Sequence, residues 1–203
     1  MSKILFFLTC IGMSLGIATH TYAQKKFTPG LRAGMVVSTL TDLDASYKTD
    51  YYVGAQFPIR LTRLYTLQPE LSYIRLGAKN TDIWQARAEE GWGNKTGVFE
   101  KEDMNMSYLD FIIMNKIHWR QFNAHGGIGI AFLTGGTKYA DFNYDFTYTI
   151  GLGYSISRTI EVETRFRYGA TGLISMKEEN IYSLGSARHI QNMSVQLGLT
   201  YSF

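Results

Sequence analysis

Nine charged residues, Arg32, Arg60, Glu70, Asp110, Asp145, Glu161, Glu163, Arg165 and Arg167, alternate with apolar neighbours along the chain. At that spacing they share one side of a pleated segment, with the apolar residues on the other. Charges gathered away from water must pair, because an unpaired one costs several kcal/mol. The chemistry expected of them is therefore a salt-bridged plug inside the molecule. A proton or ion path through the same residues is the alternative. For nucleophilic chemistry, His189 with Ser183 or Ser186 is the nearest constellation. His125 stands on a small-residue side and His118 in an expected turn. Histidine beside serine in a loop is commonplace, and no catalytic residue is assigned. No metal-ligand spacing, glycine-rich phosphate loop or basic-aromatic stripe occurs, so no metal, cofactor or nucleic acid is expected.

These charges must be held by extended segments. From Asn192 to Phe203, residues Met193, Val195, Leu197, Leu199, Tyr201 and Phe203 alternate without a break against Asn192, Ser194, Gln196, Gly198, Thr200 and Ser202. A tilted strand of that length crosses a bilayer. The same pattern recurs over 27–38, 51–62, 65–77, 104–117, 122–133, 145–157 and 160–170. Eight strands result, joined by connections that run long, short, long, short, long, short, long. An up-and-down barrel gives that order, with brief turns at one end and extended loops at the other. Pro58 and Pro69 are expected at bulges or strand ends, since proline cannot donate to a ladder. Trp84 to Glu90 is the single helix-like patch, within a charged loop spanning 78–103.

Volume decides which row faces out. Eight strands leave an interior only just wide enough to fill with side chains. Rows of Phe, Tyr, Leu, Ile and Val do not fit there, whereas the row holding Gly34, Gly54, Gly127, Gly129, Gly151, Gly153, Gly169 and Gly198 does. The apolar row must then meet lipid rather than water. The fold expected is an all-β, eight-stranded antiparallel transmembrane barrel, porin-like in architecture and monomeric. Tyr51, Trp119, Tyr154, Tyr168, Tyr201 and Phe203 stand near strand ends, where rings form a girdle at the membrane surface. Trp84 and Trp92, in the long charged loop, are candidate contacts for a partner; otherwise their rings rest on the rim of the barrel.

The first 23 residues read as a secretory signal peptide, with Lys3, an apolar core from Ile4 to Ile17, and Thr21-Tyr22-Ala23 before Gln24. Cleavage of 23 residues from 203 leaves 180, from Gln24 to Phe203, as one barrel domain. It also removes Cys10, the chain's only cysteine, and with it any disulfide. The net charge falls from +3 to +2 on loss of Lys3, too little to argue for an anionic partner. Fourteen tyrosines, twelve phenylalanines and twenty glycines against three prolines suit strands.

Several segments carry a resemblance. Pro29-Gly30-Leu31-Arg32-Ala33-Gly34, Leu67-Gln68-Pro69-Glu70-Leu71-Ser72-Tyr73, Tyr108-Leu109-Asp110 and Arg165-Phe166-Arg167-Tyr168-Gly169 resemble the strand motifs of the PorT-like outer-membrane β-barrel family of Bacteroidota. Met35-Val36 replaces the Asn that often follows the first motif, and Phe111-Ile112 the Pro that often follows the acid of the fourth strand. The resemblance implies an eight-stranded barrel in the outer membrane of a Gram-negative cell, surrounded by outer-membrane lipid. It implies no single activity. Some relatives are linked to type IX secretion and gliding, so an envelope or secretion-complex protein is one expected partner. A structural or scaffolding role with extracellular loops for interaction is the first expectation, an accessory secretion subunit the second, and a lipid-A- or peptide-modifying enzyme the third.

Overall fold

The computed structural model describes residues 27–41, 46–87, 96–136, 143–171, 174–175 and 189–203; for 81–87, 96–102, 174–175 and 189–190 it describes the backbone. The expected signal peptide, Trp92, Ser183 and Ser186 lie outside the described residues.

Among the described residues all regular structure is β. The strands are β1 (Gly30–Leu40), β2 (Lys48–Gln56), β3 (Ile59–Arg60), β4 (Tyr65–Arg87), β5 (Thr96–Trp119), β6 (Phe122–Gly136), β7 (Tyr144–Ser155), β8 (Ile160–Gly169), β9 (Ile174–Ser175), β10 (His189–Ile190) and β11 (Asn192–Ser202). The sheet runs β2-β1-β11-β8-β7-β6-β5-β4-β3, and β2 also pairs with β4. That last pairing closes the ring, so the molecule is an eight-stranded antiparallel barrel in which β3 continues β2. The seam joins β1 to β11 from Gly30↔Ser202 to Leu40↔Asn192. Closure leaves no edge inside the barrel, which is what a strand surrounded by hydrocarbon requires.

Period-2 alternation becomes two faces. Met35, Leu197 and Ile150 are exposed at 59%, 59% and 64%, while Arg32, Arg165 and Arg167 are at 2% or below. The row of small and polar residues points into the barrel, and the oily row points out. Volume is the cause: a Cβ at Gly198 would fall on the Tyr52 hydroxyl and stand 2.7 Å from the Ala33 carbonyl oxygen.

The two prolines are accommodated at one interruption. Phe57-Pro58 separates β2 from β3, and the Phe57 N–H donates to the Pro69 carbonyl oxygen at 2.9 Å. Pro69, inside β4, therefore faces its neighbour where that neighbour breaks, and its missing N–H costs little ladder.

Two expectations need correction. The patch from Trp84 to Glu90 is not helical where described, because β4 runs as strand to Arg87. The segment 78–103 is not a plain loop either. Beyond a register shift between Ala78 and Thr81, where Asn80 has φ of 50°, residues 81–87 pair with 96–102. β2 pairs with β4 only up to Ile74, and β6 with β5 only up to Met106. The two longest strands thus project past their neighbours as a ribbon. Alternation there is weak and charges are frequent, so inspection of hydrophobicity missed it. The Asn80 N–H donates to Asp103 Oδ1 at 3.0 Å, fixing the bend from which the ribbon leaves the barrel.

Close approach at the seam yields a direct test. Gly198→Val should destabilise the refolded barrel by about 1–3 kcal/mol in urea, as overpacking of a filled interior does. Gly126→Ala, on the lipid face with its nearest neighbour atom 3.7 Å from the added carbon, should leave the midpoint unchanged.

Candidate functional site

The lumen is the site where the barrel gathers its charges. Arg32 of β1 donates to Glu70 Oε2 at 2.7 Å and through Nη2 to Glu163 Oε1 at 2.7 Å. Arg165 donates to Glu70 through both Nη atoms, at 2.6 and 2.8 Å, and to Glu163 Oε2 at 2.8 Å. Two guanidiniums and two carboxylates from β1, β4 and β8 therefore close a four-membered ring across the lumen. The fork on Glu70 is bidentate, the strongest geometry available to arginine and carboxylate. Gln68 Nε2 donates to Glu70 Oε1 at 2.5 Å and to Gln56 Oε1 at 2.9 Å, and Gln196 Oε1 accepts from Arg32 at 3.4 Å.

Other tiers lie on either side. Towards the short turns, Lys116 Nζ reaches Glu161 Oε1 at 3.0 Å, and His125 Nδ1 meets Asn123 Oδ1 at 2.8 Å. Towards the long loops, Arg167 Nε donates to Asp110 Oδ2 at 2.9 Å. Beyond that pair the lumen changes character. Val36, Leu40, Tyr52, Ile74, Leu76, Ala78, Met104, Met106, Tyr108 and Ala131 form one buried apolar cluster inside the barrel. Tyrosines mark the boundary. The Arg32 guanidinium carbon stands 4.7 Å over the Tyr52 ring, and that of Arg167 stands 5.9 Å over Tyr108. These are cation–π contacts in a site that excludes bulk water.

Of the charges expected in the lumen, Arg32, Glu70, Asp110, Glu161, Glu163, Arg165 and Arg167 are brought into ion pairs. Arg60 is not among them. It is exposed in the two-residue β3, and its Nη2 donates to the Arg63 carbonyl oxygen at 3.1 Å in the turn. The break at Pro58 carries β3 to the rim, so alternation counted straight through that break misplaces it. Asp145 is buried in the lumen but has no ion-pair partner among the described residues; Thr171 N–H donates to its Oδ1 at 3.0 Å. Alternation puts Gln68 on the inward row, but Lys116 and the gathering of apolar side chains into one lumen cluster are what sequence reasoning missed. Lys116 was legible from parity, two positions beyond Met114. The cluster was not, because the inward Met104, Met106, Tyr108, Ile112 and Met114 of β5 are as apolar as the outward Leu109, Phe111 and Ile113.

The expected girdle residues fall at the two ends of the barrel. Trp119, Tyr154, Tyr201 and Phe203 lie towards the short turns, with Phe122 and Tyr154 rings 4.9 Å apart and Tyr201 and Phe203 rings 5.5 Å apart. Tyr51 and Tyr168 lie towards the loops; the Tyr168 hydroxyl donates to Gln191 Oε1. Trp84 and His189 are placed as backbone only, in β4 and β10.

A family profile described as outer membrane protein beta-barrel domain matches residues 22–175. The chain belongs to that family. Membership accounts for the exposed apolar belt and locates the barrel in the outer membrane. Faint likenesses to solved structures accompany it. Ail, the attachment invasion locus protein of Yersinia pestis, is 11% identical with a TM-score of 0.46, over 87% of this chain and 99% of that one. Neisserial surface protein A is 10% identical with a TM-score of 0.48, over 87% and 97%. The N-terminal barrel domain of OprF from Pseudomonas aeruginosa is 12% identical with a TM-score of 0.41, over 88% and 100%. Nothing about this chain's role follows from likenesses of that size. No curated protein matches it in sequence.

The ring makes a sharp energetic statement. Arg165→Met leaves Glu70 and Glu163 short of partners in a site without bulk water, and should lower stability by about 3–5 kcal/mol. The double variant Arg165→Met with Glu70→Met should recover a large part of that loss, measured by urea unfolding in detergent. Arg60→Ala, at the exposed turn, should stay within about 0.5 kcal/mol of the parent.

Proposed function

We propose that this chain is a sealed, non-catalytic barrel of the outer membrane, structural or scaffolding in role, whose long-loop end is its interaction surface. One observation carries the reading: the lumen is filled along its length. Ion pairs cross its middle, and an apolar cluster including Leu76, Met106 and Tyr108 occupies the half nearest the loops. A solute would have to break a network whose every opened pair leaves a buried charge uncompensated.

The alternative is an accessory subunit of a secretion or envelope-assembly machine, as the PorT-like resemblance implies for a member of the Bacteroidota. The ribbon of 81–87 with 96–102 favours it, since a projecting two-stranded arm offers backbone donors and acceptors to a partner strand. An enzymatic role has less support. The described histidine rings are engaged at the short-turn half, His118 Nε2 with Thr66 Oγ1 at 2.9 Å and His125 with Asn123.

Planar-bilayer recordings test the sealed barrel: no stable open state should appear, and a steady nanosiemens conductance would overturn it. Crosslinking in native membranes separates the two roles. A free-standing scaffold should yield no constant neighbour, and a stable attached envelope protein would establish the accessory reading instead.

A further inference from the structure

The net charge of the chain is small, but its distribution is uneven. The barrel has three short connections, 61–64, 120–121 and 156–159, and an arginine stands in each. Arg63, Arg120 and Arg158 are exposed. So is Arg60, whose bond to the Arg63 carbonyl oxygen keeps two guanidiniums at one turn. Among the described residues none of the four enters an ion pair. The acidic side chain described at that end, Glu161, is held by Lys116. At the loop end cations and acids come together, for Lys48 and Arg75 both reach Asp50, at 2.6 and 3.6 Å. The short-turn rim is left positive.

Depth decides what can neutralise it. Leu64 follows Arg63, Trp119 precedes Arg120, and Ile156 lies two residues before Arg158; all three apolar side chains are exposed. Such groups sit in hydrocarbon or at its edge, and aromatic rings at the interface itself. A guanidinium one or two residues away is therefore at headgroup depth, and turns of this length carry it no further from the bilayer. The Arg120 guanidinium carbon stands 5.9 Å over the Trp119 ring. The turns are also fixed. Thr62 Oγ1 accepts from the Leu64 and Tyr65 N–H groups at 3.2 and 3.0 Å, and Ser157 Oγ from those of Thr159 and Ile160 at 3.2 and 3.0 Å. Arg120 has φ of 56°, in the left-handed region that glycine and asparagine occupy at low cost and arginine does not. An arginine kept at a strained turn points to a use for its charge.

We propose that this rim binds the phosphate groups of anionic phospholipids in the periplasmic leaflet of the outer membrane, through Arg60, Arg63, Arg120 and Arg158. Short turns face the periplasm in outer-membrane barrels, so that leaflet is the one the rim meets. A guanidinium fork matches two phosphate oxygens, and exposed basic groups beside a bilayer are drawn to anionic lipid. A zwitterionic headgroup brings its own cation and leaves the positive excess standing; an anionic one removes it. An acidic protein would have to descend among the headgroups to reach turns this short, whereas a lipid phosphate is already at that depth. The proposal is independent of the sealed-barrel reading, because a conducting barrel would meet the same leaflet.

The test uses the barrel refolded in vesicles of phosphatidylcholine, alone or mixed with phosphatidylglycerol of the same acyl chains. Unfolding temperature is followed by heat-dependent gel mobility. Phosphatidylglycerol should raise it, and the increment should shrink between about 0.1 M and about 1 M salt, as the screening length falls from about 10 Å to about 3 Å. Arg63→Gln, Arg120→Gln and Arg158→Gln together should abolish most of the increment. Lys79→Gln, exposed at the loop end, should keep it. Arg120→Gly separates strain from binding: relief of the turn should raise the unfolding temperature in phosphatidylcholine while the increment from phosphatidylglycerol shrinks. That variant serves also if the triple one does not refold. Inorganic phosphate added to phosphatidylcholine vesicles should change nothing. An increment absent from the parent, retained in the arginine variants, lost equally in Lys79→Gln, or reproduced by inorganic phosphate would overturn the proposal.

Discussion

The interior of an eight-stranded barrel has a fixed and narrow volume, and that constraint organises this molecule. Once the sheet closes through β2 and β4, every inward side chain must share one thin column. Glycines occupy positions where a neighbour crosses that column, as Tyr52 does over Gly198. Large side chains that enter do so at staggered levels. Arginines and glutamates interlock at hydrogen-bonding distance across the middle, and Met106, Leu76 and Tyr108 fill the lumen towards the loops. The outer surface is then free to be uniformly oily, which the outer membrane demands.

Much of this was legible in the sequence. Alternation of period two separates inward from outward residues at almost every strand position, and the long-short rhythm of the connections gives the topology. Level was not legible. That Arg32 meets Glu70 and Glu163, rather than Asp110, depends on how each strand is offset from its neighbours. Parity carries no information about that offset. Arg60 shows the complementary limit, for a break of two residues at Phe57-Pro58 was enough to take it from the interior to the rim. On β5, the inward Met104, Met106, Tyr108, Ile112 and Met114 are as apolar as the outward Leu109, Phe111 and Ile113, so hydropathy does not tell the lumen residues there from those meeting lipid. The projecting ribbon escaped because outside the bilayer nothing forces one face of a strand to be oily.

The interior is divided by chemistry rather than by chain segments. Each tier draws on strands remote in sequence: β1, β4 and β8 for the ring, β5 and β8 for the Arg167–Asp110 pair, and β1, β2, β4, β5 and β6 for the apolar cluster. Alternative readings of the molecule divide along the same boundary. Conduction concerns the column, whereas recognition concerns the loop end and its ribbon. A change in one need not disturb the other, because the apolar cluster lies between them.

The ion-pair ring also bears on assembly. Arg32 and Glu163 are 131 positions apart, and Arg32 lies on the strand that closes the seam. The ring is therefore completed only when the barrel is, and a half-built sheet holds Glu163 and Arg165 without their distant partners. Arg165 and Glu163 pair with each other on β8, but Arg32 and Glu70 gain their full set of partners only across the closed sheet, where an uncompensated charge costs several kcal/mol. The ring acts as a latch whose full set of bonds belongs to the finished cylinder alone.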